Sequence, residues 1–405
     1  MPKGVASRTQ GLRAEHIIDI NRRVMELRHA GADLITLSTG DPHFDSPPEA
    51  VEALIASLQQ GKTHYTASAG TRSLREAVAQ YFTRTRGPQF NLTADNILVA
   101  PGCKPMLFAT LMVLCQAGDE VIYANPSFPS FVECIKYSGA TPVPISLHEN
   151  MKFRFDVTQL EGLVTERTKV IVINSPHNPT GAVLTHDDVK EVLRVAKKYD
   201  LYILADEIYS LLTFNDDGEE SFFSSFLSEP DVQDRCIVLD GVMKGYSMTG
   251  WRCGFGYYPS SLIRHMETLH MNIWSCVPEF IQDGAAAALR TSDLPARMRL
   301  EYQSRRDFVV KELNTMPFLD CKPPRGGLFV FVNISRTGLS SKEFFERALT
   351  EFGVVVIPGD GFGTNGEGYI RISFAIGKVE DIGEGLVRLR RLLVTIEEES
   401  KKIIV

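Results

Sequence analysis

The feature that most constrains this chain is an alternation. Between residues 96 and 205, short runs rich in Val, Ile and Leu are separated by stretches with helical spacing of apolar residues. The pattern predicts strands over 96–100, 120–124, 169–174 and 201–205, with helices over 104–115 and 128–137. Strands that alternate with helices close as a parallel sheet covered by helices. The unbroken Val/Ile content at 169–174 marks a strand buried on both faces. Such sheets bind ligands in the crevice outside the carboxyl ends of their strands, so chemistry is expected in the turns that follow each strand.

At 405 residues the chain is longer than one hydrophobic core usually serves. A large α/β domain with a mostly parallel central sheet is expected at 48–290. A smaller α+β domain follows at 291–405, and residues 1–47 form an N-terminal segment and part of that small domain. Further helices are predicted over 15–29, 51–59, 261–271, 278–289, 297–313 and 341–352, with another starting at Ser73. Strands are predicted over 34–37, 326–332, 354–357 and 368–374. A formal charge of -7 argues against a nucleic-acid partner, which would meet a basic face. Seven cysteines lie scattered through apolar runs without a CxxC pair, the pattern of reduced thiols rather than of disulfides or a metal site. The N-terminal stretch has no apolar h-region and no run approaches the ~20 residues of a spanning helix, so a cytoplasmic protein is expected, with no membrane partner.

One lysine stands out against this frame. Lys244 follows the apolar run 236–239 and is flanked by Gly241, Val242, Met243 and Gly245. An environment of that kind desolvates an ammonium, lowers its proton affinity and frees a nucleophilic lone pair. Such an amine condenses with an aldehyde, and the aldehyde proteins hold for that purpose is pyridoxal 5'-phosphate. Arg252 then suits the phosphate. Taken alone, the pair fits a solvated surface lysine as well.

Other positions point the same way. Gly102, Cys103 and Lys104 open a helix directly after a strand, and free N–H groups at a helix N-terminus bind phosphate. Asp206 ends the strand 201–205 and so faces the crevice, where a carboxylate can hold a pyridine nitrogen protonated. Tyr209 follows three residues on. Arg371 sits in a strand with apolar neighbours on both sides, where a guanidinium needs an anionic partner. Its fork suits a carboxylate, of a substrate or of a structural salt bridge.

Five separated motifs, STGDP (38–42), YTASAG (65–70), NSPHNPTG (174–181) with DEIY (206–209), the lysine stretch KGYSMTGWRCG (244–254) and GYIRISF (368–374), fall in one order over nearly the whole chain. Together they resemble class I/II aminotransferases of the aspartate/tyrosine type, the fold type I PLP-dependent enzymes. The resemblance implies a Schiff base on Lys244 and amino transfer from an L-amino acid to a 2-oxo acid in two half-reactions, Lys244 acting as the general base. It also implies that Phe128 stacks on the cofactor ring, that Asn178 and Tyr209 reach its phenolic oxygen, and that Gly40, Asn178 and Arg371 contact substrate. A homodimer is implied too, in which Tyr65 reaches the partner's phosphate. His177, beside Asn178, is expected to be a loop histidine rather than a base. Two positions depart from the family pattern: Gly241 stands where a phosphate-binding serine is common, and Met243 where a small residue is usual. A lyase, synthase or oxidase on the same scaffold therefore stays open. A non-catalytic PLP-binding regulatory module is opposed by the joint presence of Lys244, Asp206 and Arg371.

Overall fold

The computed structural model describes Gly4, Thr9, residues 16–215 and residues 223–403. Glu15, the expected start of the first helix, lies outside them, as does most of the stretch read for a secretory signal. The first third of the chain holds α1 (His16–His29), β1 (Ile35–Thr36), α2 (Pro48–Gln59), α3 (Arg72–Arg86), β2 (Ile97–Ala100), α4 (Cys103–Leu114), β3 (Glu120–Asn125) and α5 (Pro129–Tyr137). The middle holds β4 (Thr141–Ser146), α6 (Val157–Leu163), β5 (Thr168–Asn174), α7 (His186–Lys198), β6 (Tyr202–Asp206), β7 (Cys236–Gly241), β8 (Gly254–Tyr257), α8 (Ser260–Ile273) and α9 (Glu279–Thr291). The last part holds α10 (Leu294–Asn314), β9 (Phe329–Asn333), α11 (Ser341–Phe352), β10 (Val354–Val355), β11 (Ile357–Pro358), β12 (Tyr369–Ser373) and α12 (Val379–Ile403).

Seven strands form the central sheet in the order β2-β8-β7-β6-β5-β3-β4. Its pairings are parallel except for those of β8, which runs against both β2 and β7. That single reversal matters for the site. The residues just before β8 arrive at the same edge as the residues just after β2, β3, β5, β6 and β7. Alternate side chains of the inner strands enter opposite layers: Ile171, Ile173, Ile203 and Val238 pack into one apolar cluster, while Val170, Val172, Leu204 and Ile237 pack into the other. Each such side chain, fully removed from water, contributes about 1.5–3 kcal/mol, which fixes the strand ends as a rigid platform.

Two small sheets complete the sheet structure of the described residues: β11-β12-β9, antiparallel, and β1-β10, parallel. The run predicted as one strand over 354–357 is in fact two strands in different sheets, because Val354 and Val355 pair with Ile35 and Thr36 whereas Ile357 and Pro358 pair with β12. The strand predicted over 326–332 begins at Phe329; Gly326 makes only an isolated bridge to Thr213. Several elements have no counterpart among the expected ones. β4 carries Pro142 and Pro144 and survives as an edge strand, where a missing N–H faces outward. β8, Gly-Phe-Gly-Tyr, hides in the lysine motif. α7 announces itself by a capping box between Thr185 and Asp188. α12 buries Leu386, Leu389, Leu392, Leu393 and Ile396 along its stripe.

Candidate active site

The loops at the carboxyl edge of the central sheet enclose a cavity of ≈ 470 Å³. Lys244, Asp206, Tyr209, Asn178, Arg252, Cys103, Lys104, Phe128, Gly40 and Arg371 all line it. Residues spread over more than 330 positions of sequence are thus brought to one place, as the strand order requires.

One wall is built for an anion. Gly102 is the N-cap of α4 at φ 112°, a conformation L side chains rarely adopt, and no side chain caps the helix. A Cβ on Gly102 would stand 2.5 Å from Arg252 Nη2. Across from it, a Cβ on Gly254 would stand 2.6 Å from the Gly102 carbonyl carbon. Both glycines therefore exist so that the start of β8 can close onto the first turn of α4. The amides of that turn have no intrahelical acceptor. Arg252 is itself left-handed at φ 53° and is anchored by Nη1 donating to Thr249 O (3.2 Å) and Nη2 to Pro101 O (3.3 Å). The Cys103 thiol donates to Asp240 O (3.1 Å), so what this residue offers the cradle is its backbone.

Beside the cradle, the Lys104 ammonium lies 5.0 Å from the centroid of the Phe128 ring. Phe128 is half-buried at the start of α5 and meets Phe131 edge-on at 6.0 Å. Asp206 closes β6 and accepts a hydrogen bond from Ile208 N (3.2 Å). Burial pushes its carboxyl up to about 7, helped by the charges of Asp240 and Glu207 and opposed by the Ile208 amide and Lys244. Burial likewise raises the Tyr209 phenol. The Lys244 amine donates to Gly40 O (2.7 Å) and is pushed down to about 8, first by burial and then by the Arg371 and Arg252 guanidiniums, with Asp41 pulling the other way.

Arg371 is almost wholly buried. Its Nη1 donates to Asn178 Oδ1 (2.9 Å) and its Nη2 to Ser38 O (2.8 Å), and its guanidinium lies 3.9 Å from the centroid of the Phe329 ring. Asn178 is held from behind by its own N–H donating to Asn174 Oδ1 (2.8 Å). With Oδ1 committed to Arg371, the Asn178 amide nitrogen is the end left to donate into the cavity.

Two expectations acquire a different physical content. The close approach that Gly40 permits is made by Phe329, whose Cζ would stand 2.4 Å from a Cβ there. Tyr65 does not line the cavity of its own chain and is 89% exposed. His177 is buried, its ring nitrogen Nδ1 paired with Thr180 Oγ1 (2.8 Å), and desolvation pushes it down to about 3, so it is a neutral loop histidine. The other letters of the lysine motif tie it to the entry loop. Ser247 Oγ donates to Phe44 O (2.5 Å), Thr249 Oγ1 to Asp41 Oδ1 (2.6 Å), and Trp251 Nε1 to Ser46 Oγ (2.9 Å). Phe329, Asn174 and Asp41 were given no role from the sequence; Asn174 opens NSPHNPTG and Asp41 lies in STGDP, whereas Phe329 carried no local signal.

The cavity fits pyridoxal phosphate group by group: amide and guanidinium donors around a space only glycine leaves open, an aromatic wall, a half-buried carboxyl and a low-affinity amine. The profile of the family "Aminotransferase class I and II" matches residues 32–389. The chain is 38% identical to an aspartate aminotransferase of Pyrococcus horikoshii over 387 residues, covering 94% of this chain and 97% of that one. It is 37% identical to aromatic-amino-acid aminotransferase 2 of Thermococcus litoralis over 378 residues, 92% of this chain and 95% of that one. The solved structure of an aromatic aminotransferase from Pyrococcus horikoshii superposes with a TM-score of 0.86 at 35% identity, covering 92% and 99% of the two chains. The protein belongs to the class I and II aminotransferases. It is an enzyme that transfers amino groups with pyridoxal phosphate as its cofactor.

Proposed function

We propose that Lys244 is the residue that bonds to the cofactor's aldehyde carbon and, once displaced by a substrate amine, moves the proton at the substrate Cα. What carries this reading is convergence: the half-buried amine of Lys244, the half-buried carboxyl of Asp206, the anion cradle and the buried Arg371 fork share one cavity. Pyridoxal phosphate supplies an aldehyde that links to amines and a ring that accepts the electrons of a deprotonated Cα. The chain supplies everything else. Gly102, Cys103 and Lys104 amides with Arg252 bind the phosphate. Asp206 holds a proton on the ring nitrogen, Phe128 covers the ring face, and Tyr209 and the Asn178 amide donate to the phenolic oxygen. Arg371 receives the substrate α-carboxylate bidentately, at an angle set by Asn178 and the Phe329 face. Gly40, whose carbonyl accepts from Lys244, belongs to the same substrate-facing edge.

A homodimer completes the reading. Tyr65 sits next to Thr66, whose N–H donates to Cys276 Sγ (3.5 Å), just beyond α8 where Met271 (57%) and Ile273 (48%) are exposed. An exposed tyrosine, joined through its neighbour to a segment that follows exposed apolar side chains, suits a subunit interface that places Tyr65 at the partner's phosphate. Sedimentation at micromolar concentration tests it; a monomer there, with full activity, refutes it. The seven free thiols support a reducing, cytoplasmic location. The two-part division, 48–290 against 1–47 with 291–405, is supported by the separate sheets.

The test of the site is the visible spectrum of the purified protein before and after single L-amino acids are added without a 2-oxo acid. The band of the lysine-bound cofactor should be replaced by that of its aminated form with accepted substrates. Lys244→Ala should lack the band and turnover. Turnover retained by that variant refutes the assignment.

A further inference from the structure

Next to Asp206 in the chain, and near enough to act on its carboxyl, lies a group of buried charges that the reading above does not use. Arg86, the last residue of α3, is inserted between two carboxylates, Glu207 and Asp240, and all three side chains are almost entirely removed from solvent. Its Nε donates to Glu207 Oε2 (3.2 Å) and its Nη2 to Asp240 Oδ2 (2.5 Å) and Ser210 Oγ (2.6 Å). Its Nη1 donates to Tyr81 OH (3.1 Å), and that hydroxyl donates to Asp240 Oδ2 (2.9 Å). Asp240 Oδ1 accepts from Gly241 N (2.7 Å); Glu207 accepts from Ser225 Oγ (2.8 and 2.9 Å) and Phe226 N (3.4 Å).

Every one of these partners donates. The Arg86 guanidinium, the Gly241 and Phe226 amides and the Ser225 and Tyr81 hydroxyls favour the ionised carboxylates, against the burial that pushes Glu207 up to about 7 and raises Asp240; with both ionised beside one guanidinium, the group is negative. It also spans three of the loops that make the site. Glu207 is the residue after Asp206, Asp240 precedes the lysine loop, and the Asp240 carbonyl receives the Cys103 thiol at the head of α4.

We propose that Glu207 and Asp240, fixed by Arg86, are positioning residues that place negative charge near Asp206 and so retain the proton shared between Asp206 and the cofactor's ring nitrogen. The inference rests on the role given to Asp206 above. The groups facing Asp206 are Lys244 and Asp240 from the β7 side, Cys103 from α4, and Glu207 and Tyr209 from its own loop. Of these only Asp240 and Glu207, both beside Arg86, add negative charge. Ionising Asp206 against them is unfavourable, consistent with the upward pull they exert on its carboxyl. A partner that brings its own proton, as a pyridinium does, removes that conflict.

The variant that isolates charge is Glu207→Gln, whose new amide can donate to Ser225 Oγ while its oxygen still accepts from Arg86. With cofactor bound, the pH midpoint at which the visible band titrates should fall by about one unit, the effect of deleting one nearby charge in a partly polarisable interior. Glu207→Asp keeps the charge but shortens the reach; it should titrate within a few tenths of a unit of the parent on the same scale even where its melting temperature drops. A Gln variant that titrates like the parent, or an Asp variant that shifts as far as the Gln variant, overturns the proposal in favour of a structural role. If Glu207→Gln does not accumulate, Asp240→Asn removes the second charge and must give the same downward shift; an unchanged midpoint there overturns it equally. A parent protein with no titrating band would instead refute the assignment of Lys244.

Discussion

Replacing Asp206 by Asn should stabilise the cofactor-free protein while disabling the enzyme. Burial lifts the Asp206 carboxyl from its ordinary 3.8 to about 7, so across that interval the folded chain binds a proton that the unfolded chain releases. Its contribution to stability is therefore full below pH 3.8, declines as pH rises, and is gone above about 7. A gap of about 3 units is equivalent to ~4 kcal/mol at 1.4 kcal/mol per unit. Because the carboxyl opens on a cavity that admits water, screening reduces the working figure to ~2 kcal/mol. Asn is isosteric, keeps the bond from Ile208 N and has no charge to desolvate. Melting of apo-protein at pH 8 and pH 4 measures the difference directly. The Asn variant should be the more stable at pH 8 by ~2 kcal/mol, a few degrees, and should converge on the parent toward pH 4. In the loaded enzyme the same change should lower turnover by roughly 10²–10³-fold, since a preorganised charge partner is lost. Equal or lower stability of the variant at pH 8, or a gap that does not close on acidification, would refute the reasoning.

Arg371→Ala should raise the KM for amino acids and lower kcat/KM by roughly 10²–10³-fold, the ~3 kcal/mol of a charge-assisted fork; an unchanged KM would end its assignment as the carboxylate grip. Gly102→Ala must force a side chain into a φ of 112° at 2.5 Å from Arg252 Nη2. A loss of about 1–3 kcal/mol in apo stability and weaker cofactor retention in dialysis are expected, and retention equal to the parent would dissolve the cradle argument. Because the neutral amine is the nucleophile and Lys244 is held near 8, the rate of cofactor attachment to apo-protein should climb through about pH 8 and level off above it. A profile still rising to pH 10 in stopped-flow would mean the amine is not desolvated.

The sequence alone determined the architecture and the chemical parts. Alternation of strand and helix periods imposed a parallel sheet, and a parallel sheet places its active residues after its strands; Asp206, Asn178 and Gly102 were legible for that reason, and Lys244 because glycines and apolar residues surround a charge. Those are local properties, encoded within a few positions of each residue. The tertiary structure decided what depends on long-range pairing. The reversal of β8 is what returns Arg252 to the same edge, and Gly-Phe-Gly-Tyr, four residues long with two strand-disfavouring glycines, is too short a run to announce its direction. The splitting of 354–357 between two sheets follows from which partner each pair of residues meets, not from their own propensity. Phe329 wedged against Gly40 and beneath Arg371, and the Arg86 group near Asp206, join residues separated by up to 289 and 154 positions. In sequence each is an ordinary core phenylalanine or an isolated charge. Only packing in a low-dielectric interior, where an arginine and two carboxylates must find one another, makes them part of the site.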